Sequence, residues 1–247
     1  PTPTATATQT PTPTPTRRRV KLALQQGLAR YAGATDTYLD GWNQQANMGQ
    51  GGTLNVRQDG IRASLVRYDL SVVPSEAAVT QTSLSLWLAY ASNQGQVTLR
   101  AYRLLRPWDE NTANWLEAQS GSLWAAPGAS GSDRLAEPVG QVAVAGAQKW
   151  IEIDITSAAQ YWAQHPNENY GIVLVSEGTV SVEHQFASSQ WQEQDQRPKL
   201  GLTYELEPET VMIQQQAKLP SSESGYVVAA VGGLMLLALL RGAKKRH

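Results

Sequence analysis

The chain has 247 residues, with 20 Lys and Arg against 21 Asp and Glu, and it contains no cysteine. The missing cysteine rules out disulfides, thiolate metal sites and a cysteine nucleophile. Between Val20 and Glu207 there are 12 basic and 19 acidic residues, a net of −7, while Arg17 to Arg19 and Arg241 to Arg246 hold much of the positive charge; no basic face is implied, and nucleic acid is not an expected partner.

The opening tract, from Pro1-Thr-Pro-Thr onward, is built almost wholly of Thr, Pro and Ala. Such a composition cannot bury a core, and its prolines favour an extended polyproline II path. Residues 1–19 are therefore expected to be a Thr/Pro-rich linker, spanning on the order of 50 Å, that tethers the folded domain to an upstream one. Lys21–Gln26 is the first expected strand. Asp36, Asp40 and Asn43 come next, in a loop-prone segment with Gly41. Their hard oxygens suit a structural calcium ion, although the same residue types also form turns by bonding nearby backbone. No other cofactor is expected.

Further strands are expected at Thr53–Arg57 and Ala63–Asp69. In Ser83–Tyr90 the residues Leu84, Leu86, Leu88 and Tyr90 recur with period two, the mark of a half-buried strand. Gln96–Arg103 repeats that alternation after Ser92-Asn-Gln-Gly95, which predicts a hairpin. Val139–Val144, Lys149–Ile153, Gly171–Val175, Val180–Phe186 and Lys199–Tyr204 complete the strands. One short helix, Ser157–Gln164, is expected between them, capped by Thr156 or Asp154 and stopped by Pro166. Residues 20–207 thus read as one all-β domain, an antiparallel jelly-roll β-sandwich with one short helix.

The hairpin places Trp87 on one strand and Arg100 and Tyr102 on the next, all turned away from the Leu/Val face. Aromatic rings stack on sugar C–H faces and guanidinium groups bind carboxylates in a planar fork. Arg57, Arg62 and Arg67 are expected to enlarge a basic patch beside them, and Trp42 to add a loop contact. The partner this predicts is a polysaccharide, acidic if the arginines act together. Trp108, Trp115 and Trp124 are expected to pin a long connection, and Trp162 to cover one end of the sandwich. No Gly-x-Ser-x-Gly, His-Glu-x-x-His or phosphate-cradling loop occurs, and Asp109-Glu110 reads as a solvated loop rather than a glycosidase pair. The domain is expected to be non-enzymatic.

Residues 208–224 are expected to be a juxtamembrane linker, 225–241 a transmembrane helix and 242–247 a basic tail. The run from Gly225 to Leu240 carries no charge, and Lys and Arg gather after it. At about 24 Å it is short for the bilayer, but flanking Arg and Lys can snorkel. The positive-inside rule puts the tail in the cytoplasm and the sandwich on the extracellular face of the cell membrane. Leu219-Pro-Ser-Ser-Glu223 before this run is similar to a sortase sorting signal, with Ser222 and Glu223 departing from the Leu-Pro-x-Thr-Gly pattern.

The order Asp36-Thr-Tyr-Leu, Leu65-Val-Arg-Tyr-Asp-Leu70, Leu84-Ser-Leu-Trp, Arg106-Pro-Trp, Asn114-Trp, Trp124, Asp154-Ile-Thr, Asn169-Tyr-Gly, Phe186-Ala-Ser-Ser and Arg197-Pro-Lys-Leu resembles the DNRLRE, or disaggregatase-related, domain. That family overlaps carbohydrate-binding module family 96. The resemblance covers roughly Lys21 to Tyr204. It implies a jelly-roll sandwich that serves as a non-catalytic glycan-binding module in a larger bacterial or archaeal exported protein. Where relatives commonly carry an acid after the Ser pair, this chain has Gln190. The alternative function is a passive spacer or adhesion stalk that displays an upstream domain.

Overall fold

A computed structural model describes residues 16–208; the predicted juxtamembrane linker, membrane span and basic tail lie outside the described residues, as does most of the Thr/Pro tract. Among the described residues no helix is long and apolar enough to cross a membrane. The chain order is β1 (Arg18–Gln25), β2 (Ala34–Asp40), β3 (Thr53–Arg57), β4 (Arg62–Tyr68), β5 (Ala78–Ala91), β6 (Val97–Arg103), β7 (Glu117–Gln119), β8 (Ser122–Leu123), β9 (Gly140–Val144), β10 (Lys149–Asp154), α1 (Thr156–Gln164), β11 (Ile172–Glu177), β12 (Glu183–Ala187) and β13 (Lys199–Leu206). All pairings between these strands are antiparallel. The expected all-β character holds, and every predicted strand has a counterpart.

Eleven strands form one curled sheet in the order β1-β13-β5-β12-β3-β4-β11-β6-β9, with β10 also on β5 and β2 also on β4. The sheet folds over where β3 and β4 pair at Arg57 and Arg62. One half, carrying Leu54, Leu84, Leu86, Leu88, Ile153 and Phe186, then packs on the other, carrying Val66, Leu99, Ala101, Ile172 and Leu174. Period-two alternation supplies this face directly: Leu84, Leu86 and Leu88 are fully buried, while Ser85 and Trp87 between them are half-buried.

Two strands of the second half, β4 and β11, are buried on both faces. In β11, Ile172 and Leu174 enter the central core, whereas Val173 and Val175 join Leu39, Leu65 and Tyr102 in a second cluster. That cluster is roofed by the connection from Leu104 to Ala129, through Trp108, Ala113 and Trp124. Two indole N–H groups tie the roof down, Trp108 donating to the Tyr170 carbonyl at 2.8 Å and Trp124 to that of Asn114 at 2.9 Å. A connection this long stays ordered because its tryptophans bury area and satisfy their one donor at once. Helix α1 buries Ala158, Ala159 and Trp162, and the Asp154 carboxylate accepts the Thr156 N–H at 2.8 Å at its start.

Two expectations are corrected. Ala34–Asp40, read as a loop, is a strand, because Thr37 and Leu39 are buried beside β4, in register with Leu65 and Ala63. The predicted hairpin of Ser83–Tyr90 with Gln96–Arg103 does not form: β5 pairs with β10, β12 and β13, and β6 pairs with β9 and β11. The turn after β5 instead carries the chain from one half of the sheet to the other.

Candidate functional site

At the open edge where the sheet folds over, β2 ends in Asp40-Gly41-Trp42. The Asp40 carboxylate accepts the Trp42 N–H at 3.0 Å, a local turn of the kind Asp favours, and the Gly41 N–H donates to the Ile61 carbonyl at 2.8 Å. A Cβ at position 41 would lie 2.9 Å from that same carbonyl oxygen, so the close approach requires glycine. The turn leaves Trp42 outside, 60% exposed.

Two arginines hold the indole in place, with the Arg57 and Arg62 guanidinium carbons 5.0 and 4.9 Å from its ring centroid. Arg62 also lies 5.8 Å from the centre of the Tyr38 ring. It donates to Asp40 at 2.9 Å and to Glu183 at 2.7 Å, while Arg57 is 3.7 Å from Glu183 and donates to the Ser181 hydroxyl at 2.8 Å. Gln185 donates to the other Glu183 oxygen at 2.9 Å. Burial, the largest influence, raises the Tyr38 hydroxyl above its usual range, and Arg62 works against it. The product is an exposed aromatic plane on a charge-balanced polar floor.

Trp42, Arg57 and Arg62 were each legible from sequence and are brought together here. The expected group of Trp87, Arg100 and Tyr102 is not. Trp87 lies on the outer face of the first half, opposite Trp150 in register and edge-on to it at 5.6 Å, with the Lys199 ammonium 4.2 Å from the Trp150 ring. Arg100 and Tyr102 belong to β6 in the other half. Tyr102 is 4% exposed, which puts its ring out of a ligand's reach. The expected basic patch is corrected as well, since Arg57 and Arg62 share carboxylates, Arg100 pairs with Glu177 at 3.0 Å and Arg67 stacks over Trp108 at 5.4 Å. Tyr38, Glu183, Trp150 and Lys199 were missed, because neither period nor spacing reveals which side chains a fold-over will bring to one edge.

Asp36, Asp40 and Asn43 do not meet. Asp36 and Asp40 sit four residues apart on β2, about 13 Å along a strand, and each has its own partners: Asp36 accepts the Ser189 N–H at 2.8 Å and hydroxyl at 3.1 Å, and Asp40 binds Arg62. Asn43 is exposed. Gln190 stands near Asp36, donating to the Glu110 carboxylate at 3.2 Å. Among the described residues no three His, Asp or Glu side chains are grouped to hold a metal ion.

The model of carbohydrate-binding module family 96 matches residues 28–204, and the chain belongs to that family. The match takes in every residue of the edge site and most of the curled sheet. No curated protein matches the chain.

Proposed function

We propose that this chain is a non-catalytic polysaccharide-binding module of a larger exported protein, with a jelly-roll sandwich held at the cell surface by the segment after Pro208. The observation that carries the binding reading is Trp42. A large apolar ring left 60% exposed and fixed by two guanidinium groups is preorganised to stack on a pyranose without losing rotamer freedom. The fold supports a non-catalytic role in that the carboxylates of the roof serve the backbone: Asp109 accepts the Asn111 N–H, and Glu110 accepts the Asp36 N–H.

Because Asp40 and Glu183 balance Arg57 and Arg62, recognition at this edge rests on stacking and directed hydrogen bonds rather than net charge. Affinity electrophoresis of the full chain through gels holding alginate, pectin, xylan or glucan tests this. One polymer is expected to retard the protein selectively, and Trp42→Ala to weaken that retardation roughly tenfold or more. The side chain is exposed, so stability should change by no more than about 0.5 kcal/mol. Retardation by no polymer, or an unaltered Trp42→Ala variant, would reject the assignment.

The alternative of a spacer finds no support in the strand order. β1 pairs with β13 so that Arg18 faces Leu206, and Arg17 and Arg19 form ion pairs with Glu207 and Glu205. The path enters and leaves the domain side by side, which suits a pendant module and adds almost no length to a stalk. Spin labels at cysteines introduced at Thr16 and Pro208 are expected to report a separation set by the roughly 5 Å of a ladder pair and the label arms. A distance matching the length of the sandwich would restore the spacer.

A further inference from the structure

Strand β1 ends the curled sheet: β13 pairs with one side of it, and its other side is free among the described residues. A groove of about 590 Å³ is lined by Leu22, Ala23 and Leu24 of β1 and, across from them, by Leu28, Arg30 and Val72 among others. Three consecutive strand residues, whose side chains alternate between faces, line one groove only where it runs along the strand's edge. Leu22 points toward the core yet is only half-buried, and Leu28 and Val72 are exposed. An edge with unpaired backbone groups beside uncovered apolar side chains is a template for a further strand.

The far wall of the groove is a strained turn. Ala29 and Arg30 take φ +47° and +66°, in the left-handed region that non-glycine residues rarely adopt. The turn is closed by the Gly27 N–H donating to the Tyr31 carbonyl and the Tyr31 N–H to that of Leu28, both at 2.8 Å, and the Tyr31 hydroxyl donates to the Asp69 carbonyl at 3.0 Å. None of Leu28, Ala29 and Arg30 is buried. The conformation therefore serves no core contact, and its effect is to stand Leu28 at the groove.

The charge along this edge is opposite to that of the domain. Residues 17–35 hold four Arg, one Lys and no Asp or Glu. Arg17 and Arg19 pair with Glu207 and Glu205, whereas Arg18, Lys21 and Arg30 make no ion pair among the described residues. Asp69, the acid of the lining, has its oxygens taken by Ser71, whose N–H and hydroxyl each donate at 2.9 Å. A second copy laid along β1 would bring like charges together, the arrangement by which edges avoid pairing with themselves. An acidic strand would meet three cations that no carboxylate holds.

We propose that the β1 edge docks an extended segment of another polypeptide in which apolar and acidic residues alternate. The segment extends the sheet by one strand, sets its apolar side chains against Leu22, Leu28 and Val72, and turns its carboxylates toward Lys21 and Arg18. The inference is independent of the polysaccharide reading. Gly33 at the groove and Asp40 at the Trp42 turn stand at opposite ends of β2, about 20 Å apart, so the module can hold both partners at once.

The test titrates the full chain against two labelled octapeptides, one alternating Val with Glu and one alternating Val with Lys, with binding read by fluorescence anisotropy. The Val/Glu peptide is expected to bind about tenfold more tightly than the Val/Lys peptide and to lose affinity as salt rises. Lys21→Glu is expected to weaken it about tenfold and Leu28→Ser about fivefold; both side chains are exposed, so the fold should be kept. Strand addition, unlike a loose ion pair, is also expected to slow amide hydrogen exchange in residues 22–24. No binding of the Val/Glu peptide, equal affinity for both peptides, indifference to the two variants, or unaltered exchange in residues 22–24 overturns the docking edge. A concentration-dependent dimer that protects the same amides without peptide overturns it as well, because the edge would then belong to a second copy.

Discussion

Arg62→Ala is expected to cost about 3–5 kcal/mol of stability and to abolish polysaccharide binding at the edge. The side chain is a hub: it joins Asp40 to Glu183 and lies over the rings of Trp42 and Tyr38. The carboxylates it serves are 5% and 10% exposed. Removing the cation leaves the buried Asp40 without an ion-pair partner and Glu183 with only the longer Arg57 contact, and that penalty exceeds whatever the pair gains when intact. Arg57 reaches Glu183 at 3.7 Å and cannot stand in at Asp40. Urea unfolding of the single variant against the triple variant Asp40→Asn, Arg62→Met, Glu183→Gln separates charge from packing. The triple variant should recover most of the lost stability while still failing to bind, because the uncharged floor no longer holds Trp42. A single-variant loss below about 1 kcal/mol, the range of a solvent-exposed pair, would show that water already screens these charges.

That hub also marks where sequence reasoning stops. The alternation of Leu84, Leu86 and Leu88 foretells burial because one strand's period is a local property. Which strand lies beside it is not local, and Ser92-Asn-Gln-Gly95 reads as a tight hairpin although it carries the chain across the sandwich. The shared face assigned to Trp87, Arg100 and Tyr102 fails for that single reason. The exposure of Trp42 was legible because its signal is the turn itself, Asp40 before Gly41, which sets the ring outside. Asp36 departs in the opposite sense: an Asp in a polar stretch suggests a loop, but the apolar Leu39 and the β4 register make the segment a strand and draw the carboxyl inside.

The arginines illustrate a related limit. Twelve basic residues against nineteen acids between Val20 and Glu207 say that carboxylates are plentiful, but not which cations they pair with. The structure pairs Arg57, Arg62, Arg100 and Arg106 with carboxylates and lays Arg67, Arg103 and Arg134 over aromatic rings instead. Charge pooling along adjacent strands is the wrong picture.

Asp36→Asn is expected to stabilise the protein at pH 8 and to leave it unchanged near pH 4. Asp36 is 2% exposed. Burial pushes its carboxyl from 3.8 to about 7; the Ser189 hydrogen bonds pull it back, and the nearby Glu110 carboxylate pushes it further up. Its folded value therefore lies above its unfolded one, so the folded state holds the proton more tightly and stability is greatest in acid. It falls as pH rises from about 4 to about 7, by on the order of 4 kcal/mol in total. His184, fully buried with both ring nitrogens lacking protein partners, acts with the opposite sign. Burial first, and then Lys149, lowers its titration, so its contribution is complete above about 6.5 and is lost as pH falls. The two overlap in a wild-type profile, but the difference between wild type and Asp36→Asn isolates the carboxyl. An amide keeps the acceptor for the Ser189 N–H and offers a donor to its hydroxyl, so the exchange removes charge with little change of shape. Urea midpoints for both proteins across this range, in chelator, should show a gap that opens between about pH 4 and 7. A gap independent of pH would mean that the carboxylate is compensated in the fold. If added calcium closes the gap by stabilising the wild type alone, the compensating charge is an ion bound at Asp36.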